Sequence, residues 1–146
     1  MIREIIASEY LDEAQGLMLE HWQEVAEETG VPKPCIDREY LESMEVAGQM
    51  FCLGVFGGTE LVGYSLNSIG STLNFDTLVI MDNEGIFIKK PYRGSIGKLL
   101  ILESERIGKA RGATRAKWHT YKDSRADRIF SAMGYHAYDV IYTKEL

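Results

Sequence analysis

The apolar positions change period along the chain, and each change predicts an element. Residues 2–7 (IREIIA) read as a short strand. Leu11, Ala14, Met18, Trp22 and Val25 then recur three or four apart, which makes a helix with one core-facing stripe. Ser8 is placed to cap that helix, Asp12 and Glu13 sit near its positive end, and Gly30 closes it. Trp22 falls on the stripe as a core residue, whereas His21 lies beside it and reads as surface. Two prolines in VPKPC (31–35) disfavour helix, and Asp37 then opens a shorter helix, DREYLESMEVAG, closed by Gly48. Two β-rich runs, MFCLGVF (50–56) and ELVGYSL (60–66), flank Gly57-Gly58-Thr59, a hairpin signal.

Beyond the hairpin, NSIGSTLNFDT (67–77) is polar and turn-rich and predicts a loop across the mouth of a site. LVIM (78–81) resumes the sheet. DNEG (82–85) is either a tight turn or a bulge within one long strand ending at Lys90. Ile96, Leu99, Leu100 and Ile107 form the stripe of a central helix stopped by Gly112. ATRAKWHT (113–120) reads as a fifth strand, and Asp123 caps a last helix ending at Gly134. Tyr135 to Lys144 is aromatic and β-branched and is expected to close the sheet. The order β-α-α-β-β-β-α-β-α-β covers residues 1–146 as one α/β (α+β) domain, a mixed, mostly antiparallel central sheet flanked by helices.

At 146 residues such a domain buries roughly 70% of its unfolded surface. Its 45% hydrophobic and 26% charged content is ordinary for a globular protein. The net charge of −6 argues against a nucleic-acid duplex as partner, although an acidic surface suits a cationic amine as well as it serves solubility. No apolar run approaches the ~20 residues of a membrane span, and the N-terminus lacks a signal layout. Cys35 and Cys52 have neither metal-ligand spacing nor a disulfide framework, so no metal site is expected and a reducing cytoplasm fits best.

One stretch carries chemistry. In IFIKKPYRGSIGKLLILESERI (86–107) an apolar strand meets a turn, and a helix starts at once. Two glycines at the junction, Gly94 and Gly97, let a ligand approach the backbone closely. The helix's first N–H groups and positive dipole end point the same way. Such a junction binds phosphate. GSIGK is not a nucleotide P-loop, because four residues between the glycines and a Ser/Thr after the lysine are missing.

YRGSIGKLL resembles the pyrophosphate-binding motif of the GCN5-related N-acetyltransferases (GNAT), with Arg93 first and Ile96-Gly97-Lys98 at its close. It has one residue fewer between Arg93 and Gly97 than the family usually has, and Ser95 stands where a glycine normally does. DSRADRIFSAMGY resembles the family's last-helix segment at Asp123, Ala126, Phe130, Gly134 and Tyr135. The RGS wording and the closing YTKEL resemble the acetyltransferases common in bacteriophage genomes. The resemblance covers the whole chain. It implies acetyl-CoA as co-substrate and a primary amine, on a small molecule or a protein, as acceptor. It also favours the bulge at DNEG, and it puts the acceptor side between the first two strands, where Tyr40 and Met44 are either pocket or packing.

On this resemblance the diphosphate falls to the N–H groups of Gly94, Ser95, Ile96, Gly97 and Lys98, with charge from Arg93 and Lys98, and the pantetheine amides to strand backbone at Phe87 and Ile88. Amine attack also needs a base, and Glu84 or Asp82 precedes the turn on the fourth strand. The leaving thiolate takes a proton in the family from a last-helix tyrosine, but that position is Phe130. His119 and Tyr121 at the end of the fifth strand, then Ser131 and Tyr138, are the remaining candidates. Two readings follow: an acetyltransferase, or a GNAT fold that binds CoA or a protein partner without turnover. A homodimer through the strand edges near Tyr135 to Tyr142 is compatible with either.

Overall fold

The computed structural model describes residues 1–146, with the side chains of Glu28, Phe75 and Asp76 outside the description. Its elements run β1 (Ile2–Ile5), α1 (Leu11–Val25), α2 (Arg38–Val46), β2 (Met50–Gly57), β3 (Glu60–Thr72), β4 (Phe75–Ile88), α3 (Ser95–Ala110), β5 (Arg115–Trp118) and α4 (Arg125–Ala132). The strands form one sheet in the order β1-β2-β3-β4-β5. Every pairing is antiparallel except β4 with β5. This is the mixed α/β architecture expected. Among the described residues, no helix is long and apolar enough to cross a membrane.

Alternation along the strands sends side chains to two apolar layers. On one face Leu17 of α1 and Leu41 of α2 pack with Cys52, Phe56, Tyr64 and Phe87. On the other, Leu100 and Ile107 of α3 pack with Leu53, Val55, Val62 and Met81. Fully burying a Leu or Val contributes about 1.5–3 kcal/mol, so α3, which brings its apolar stripe onto the sheet centre, is strongly anchored.

Several local expectations are corrected. Ser8 does not cap α1. Residues Ala7–Tyr10 form a 3-10 turn, and the Ser8 hydroxyl donates to Glu45 at 2.7 Å. Glu45 also accepts the Ala7 N–H at 2.5 Å, so a carboxylate from α2 does the capping. At the last helix the cap is Ser124, which accepts the Asp127 N–H at 3.2 Å. Asp123 instead turns the chain with φ 62°. Of the stretch 67–77 expected as a loop, only 73–74 is a turn; 67–72 and 75–77 are strand, with Asn67 entering a buried polar cluster and Ile69 packing on the α3 layer. No strand follows α4 either. The Asp139 carboxylate accepts the Val140 N–H at 2.8 Å, taking a donor that a ladder would use. Tyr138, Val140, Ile141 and Tyr142 are left exposed.

The bulge is present. Leu66 pairs with Gly85 and Asn67 with Asn83, leaving Glu84 without an opposite residue. Beneath it lies a fully buried polar cluster of Ser65, Asn67, Asn83 and Ser104. The Asn83 amide donates to Asn67 Oδ1 at 2.9 Å and to the backbone oxygens of Leu66 at 3.1 Å and Gly85 at 3.3 Å. Ser104 of α3 joins through Ser65 at 3.0 Å. Backbone carbonyls freed by the bulge thus find a side-chain donor instead of water. Asn83→Ala strands these buried acceptors and is expected to destabilise the fold by about 2–4 kcal/mol. Ser104→Ala is expected to cost about 1 kcal/mol. Urea unfolding of the two variants checks the order.

Candidate functional site

β4 and β5 pair only from Ile80–Arg115 to Asn83–Trp118 and then part. From Glu84 to Ile88, β4 keeps β3 on one side and has no strand on the other. Which backbone groups face the opening follows from the register. The Lys89 N–H donates to Val62 O at 2.9 Å, and hydrogen-bonding direction alternates along an antiparallel strand. Phe87 and Gly85 therefore bond toward β3, whereas Ile86 and Ile88 present N–H and C=O to the cleft. Ile88 O confirms the direction by accepting Arg93 Nε at 2.6 Å. Of the two residues expected to offer backbone here, Ile88 faces the cleft and Phe87 does not.

At the end of β4 a 3-10 turn, Lys90–Tyr92, leads into α3. Gly94 is the N-cap, with φ 133° and ψ −136°, a conformation that L side chains rarely adopt. Among the described residues, no acceptor takes the N–H groups of Gly94, Ser95 or Ile96, and Gly97 donates only a long 3.4 Å bond to Gly94 O. A Cβ at Gly94 or Gly97 would meet nothing within 4 Å, so the space above the helix end is open. Lys98 is exposed on the same turn. These groups fit a diphosphate: bare donors at a positive helix end with room to approach.

Arg93 is placed differently from its expected role. Its guanidinium makes a two-pronged pair with Glu24 of α1, at 2.8 and 2.7 Å, and lies 5.4 Å from the Phe87 ring centroid. The hydrogen bond from Arg93 holds the Glu24 carboxyl below its ordinary range. Arg93 thus ties α1 to the cleft, leaving the backbone donors and Lys98 to meet an anion.

On the face away from α3, the titratable candidates converge where the strands part. Glu84, on the bulge, accepts from the Ser68 hydroxyl at 2.7 Å and is exposed. Asp82 Oδ1 lies 2.6 Å from His119 Nε2, and Asp82 Oδ2 accepts from Lys117 at 3.0 Å. The hydrogen bond to Asp82 raises the Lys117 pKa. This contact engages His119 through Nε2 and leaves Nδ1 without a protein partner among the described residues. Tyr121 follows His119 and is partly exposed. Phe130 is buried between Trp118 and Tyr135, at ring distances of 5.2 Å each, and serves the core. Tyr40 is exposed and Met44 packs against the α1–α2 core, the packing alternative. Ser131 and Tyr138 are exposed.

His21 is not the surface residue expected. Its ring stacks on Phe87 at 5.1 Å, and Nδ1 lies 3.3 Å from the Tyr64 hydroxyl. Burial holds its pKa below the ordinary value, with Glu24 pulling up and Arg93 down. Its place beside the apolar stripe concealed this, since the contact depends on Phe87 of β4, 66 residues away in sequence. Cys52 is buried, and burial pushes its thiol up to about 12, the behaviour of a small apolar residue. Among the described residues, no three His, Cys, Asp or Glu side chains are grouped to hold a metal ion.

No family model matches the chain, and no curated protein matches it in sequence. Solved structures do match its fold. A mutant of the BH1408 protein of Bacillus halodurans superposes with TM-score 0.79 at 17% identity, covering 100% of this chain and 99% of that one. An acetyltransferase of Trypanosoma brucei gives 0.73 at 16%, with 100% and 99% covered. Aminoglycoside N-acetyltransferase AAC(6')-Iy, solved in complex with CoA, gives 0.71 at 18%, again with 100% and 99% covered. What this chain shares with them is the GNAT-type fold.

The His21 environment makes stability depend on pH. A depressed pKa means that the unfolded state binds the proton more readily, so stability is complete above about pH 6.5 and falls as pH drops through and below it. His21→Asn is expected to remove this part of the slope, which is at most about 1.4 kcal/mol per pH unit. Urea unfolding at pH 7.5 and 5.5 checks it.

Proposed function

We propose that this protein is an N-acetyltransferase, moving an acetyl group from acetyl-CoA to a primary amine. The observation that carries the reading is the coincidence of two features. The β4 edge opens at Ile86 and Ile88, and it leads directly to the unpaired N–H groups of Gly94, Ser95 and Ile96. The first suits an amide-bearing arm and the second a diphosphate, in the order in which CoA presents them. The CoA bound by AAC(6')-Iy, on the same fold, supports the assignment.

When bound, acetyl-CoA would supply the activated acyl carbon as a thioester. The chain's own residues supply position and proton transfer. Ile86 and Ile88 hold the arm through backbone, and Gly94 to Lys98 hold the diphosphate. Glu84, steadied by Ser68, takes the proton that the amine must lose before it can attack. His119, its ring fixed by Asp82, passes protons between this point and solvent through Nδ1. Tyr121 stands beside that path. The exposed Glu84 carboxylate also favours an acceptor that arrives as a cation, since Asp82 is already paired with Lys117. A second reading, CoA binding without turnover, draws on Phe130, whose place in the core leaves α4 with no hydroxyl there.

Calorimetric titration with acetyl-CoA is expected to give a Kd on the order of micromolar in the wild type. Gly97→Glu should bind none, because it sets a carboxylate where the diphosphate would lie, at a position whose Cβ meets nothing within 4 Å. Screening primary amines for thiol release then separates the two readings. Glu84→Gln should lower turnover by about 10²–10⁴-fold with the acetyl-CoA Kd unchanged. Tight binding with no amine turned over would establish the second reading, and no binding at all would refute both.

A further inference from the structure

Ile88 turns its carbonyl to the cleft, but that carbonyl already has a partner. Arg93 Nε donates to it at 2.6 Å, along the open edge of β4. The other two nitrogens of the same guanidinium donate to Glu24 of α1, at 2.8 and 2.7 Å. One side chain thus reaches from the strand edge to the helix. The pair is largely enclosed, with side-chain exposures of 16% for Arg93 and 28% for Glu24. The guanidinium lies over the Phe87 ring, 5.4 Å from its centroid. Glu24 is its only charged partner among the described residues. Two parallel bonds orient a guanidinium as well as attract it, so the carboxylate decides where Arg93 points. An open groove between α1 and the end of β4 passes Glu24, with Glu20, Gln23, Phe87, Lys89 and Lys90 along its walls, so solvent lies next to the pair.

We propose that Glu24 is a positioning residue that holds Arg93 as a gate across the β4 edge, so that an amide-bearing arm reaches the Ile88 carbonyl only after the guanidinium has swung off it. The inference rests on the acetyl-transfer reading. It departs from the expectation that Arg93 adds charge at the diphosphate, and the two roles have opposite signs. A gate weakens the binding of a ligand that carries the arm and leaves a ligand without the arm unaffected, because only the first needs the open state. An arginine that serves the diphosphate strengthens both. The apparent Kd of the arm-bearing ligand is its intrinsic Kd divided by the open fraction. With about four molecules in five closed, removing the gate tightens that ligand about 5-fold.

The test measures, by calorimetry, the Kd of acetyl-CoA and that of adenosine 3′-phosphate 5′-diphosphate, which keeps the diphosphate and lacks the arm. Wild type is compared with Glu24→Gln, which loosens the hold on Arg93. The second variant is Arg93→Met, which keeps an apolar stem over Phe87 and removes the donors. Matched thermal melts show that each is folded. The two substitutions change the net charge in opposite directions, so long-range attraction for an anionic ligand rises in one and falls in the other. The ratio of the two Kd values cancels that effect. In both variants it should shift about 5-fold in favour of acetyl-CoA. The double variant should go no further, because the pair acts as one unit. A ratio that stays at the wild-type value in either folded variant overturns the proposal. So does a shift toward the ligand without the arm, since the pair would then be building the arm's site. If Arg93→Met does not fold, Glu24→Gln decides by the same ratio. Failure of the wild type to bind acetyl-CoA at all would instead defeat the acetyl-transfer reading beneath it.

Discussion

The bulge at Glu84 is the constraint on which the rest of the site depends. One residue without an opposite number turns β4 away from β5, and a ladder that would otherwise continue is broken after Asn83 and Trp118. Breaking a ladder inside a packed domain is costly unless the freed backbone finds partners. The Asn83 amide, held by Asn67 and Ser65 and reached by Ser104 from α3, supplies them. The polar cluster is therefore the support of the cleft. It also couples the helix that opens with the anion cradle to the strand that opens the cleft.

Much of this was legible in the sequence where a regular period ran uninterrupted. The hairpin at Gly57-Gly58-Thr59, the glycine junction at 94–97 and, on α3, Ile96, Leu100 and Ile107 are local signals that formed where expected, whereas Leu99, placed on the same stripe, faces solvent. The misses share one cause, which is that burial is decided by tertiary neighbours. Asn67 and Ser68 look like loop because polar residues usually mean solvent. Here one serves the buried cluster and the other holds Glu84. The stretch after Gly134 looks like strand because Val140, Ile141 and Tyr142 are β-formers, yet propensity makes no ladder without a partner edge.

The candidate site was legible in its outline and not in its wiring. Position along β4 and β5 sufficed to nominate Glu84 and His119. That Asp82 would fix the His119 ring depends on strands joined in parallel some 35 residues apart in sequence, Asp82 opposite Lys117. Arg93 was nominated for its charge, and only the approach of α1 shows that Glu24 has claimed it. His21 and Tyr64, 43 residues apart, share no motif at all.

What the cleft offers a ligand is mostly peptide groups, at Ile86, Ile88 and the start of α3. Every amino acid except proline carries the same N–H and C=O. Replacing Ile86 by valine or Ser95 by alanine changes the letter without changing the donor. A site of this kind tolerates drift in its wording as long as the backbone path is kept, with glycine retained where the path demands it. That accounts for a chain whose fold overlays its neighbours from end to end while fewer than one residue in five is the same in those compared. Such a site leaves its record in shape more than in spelling.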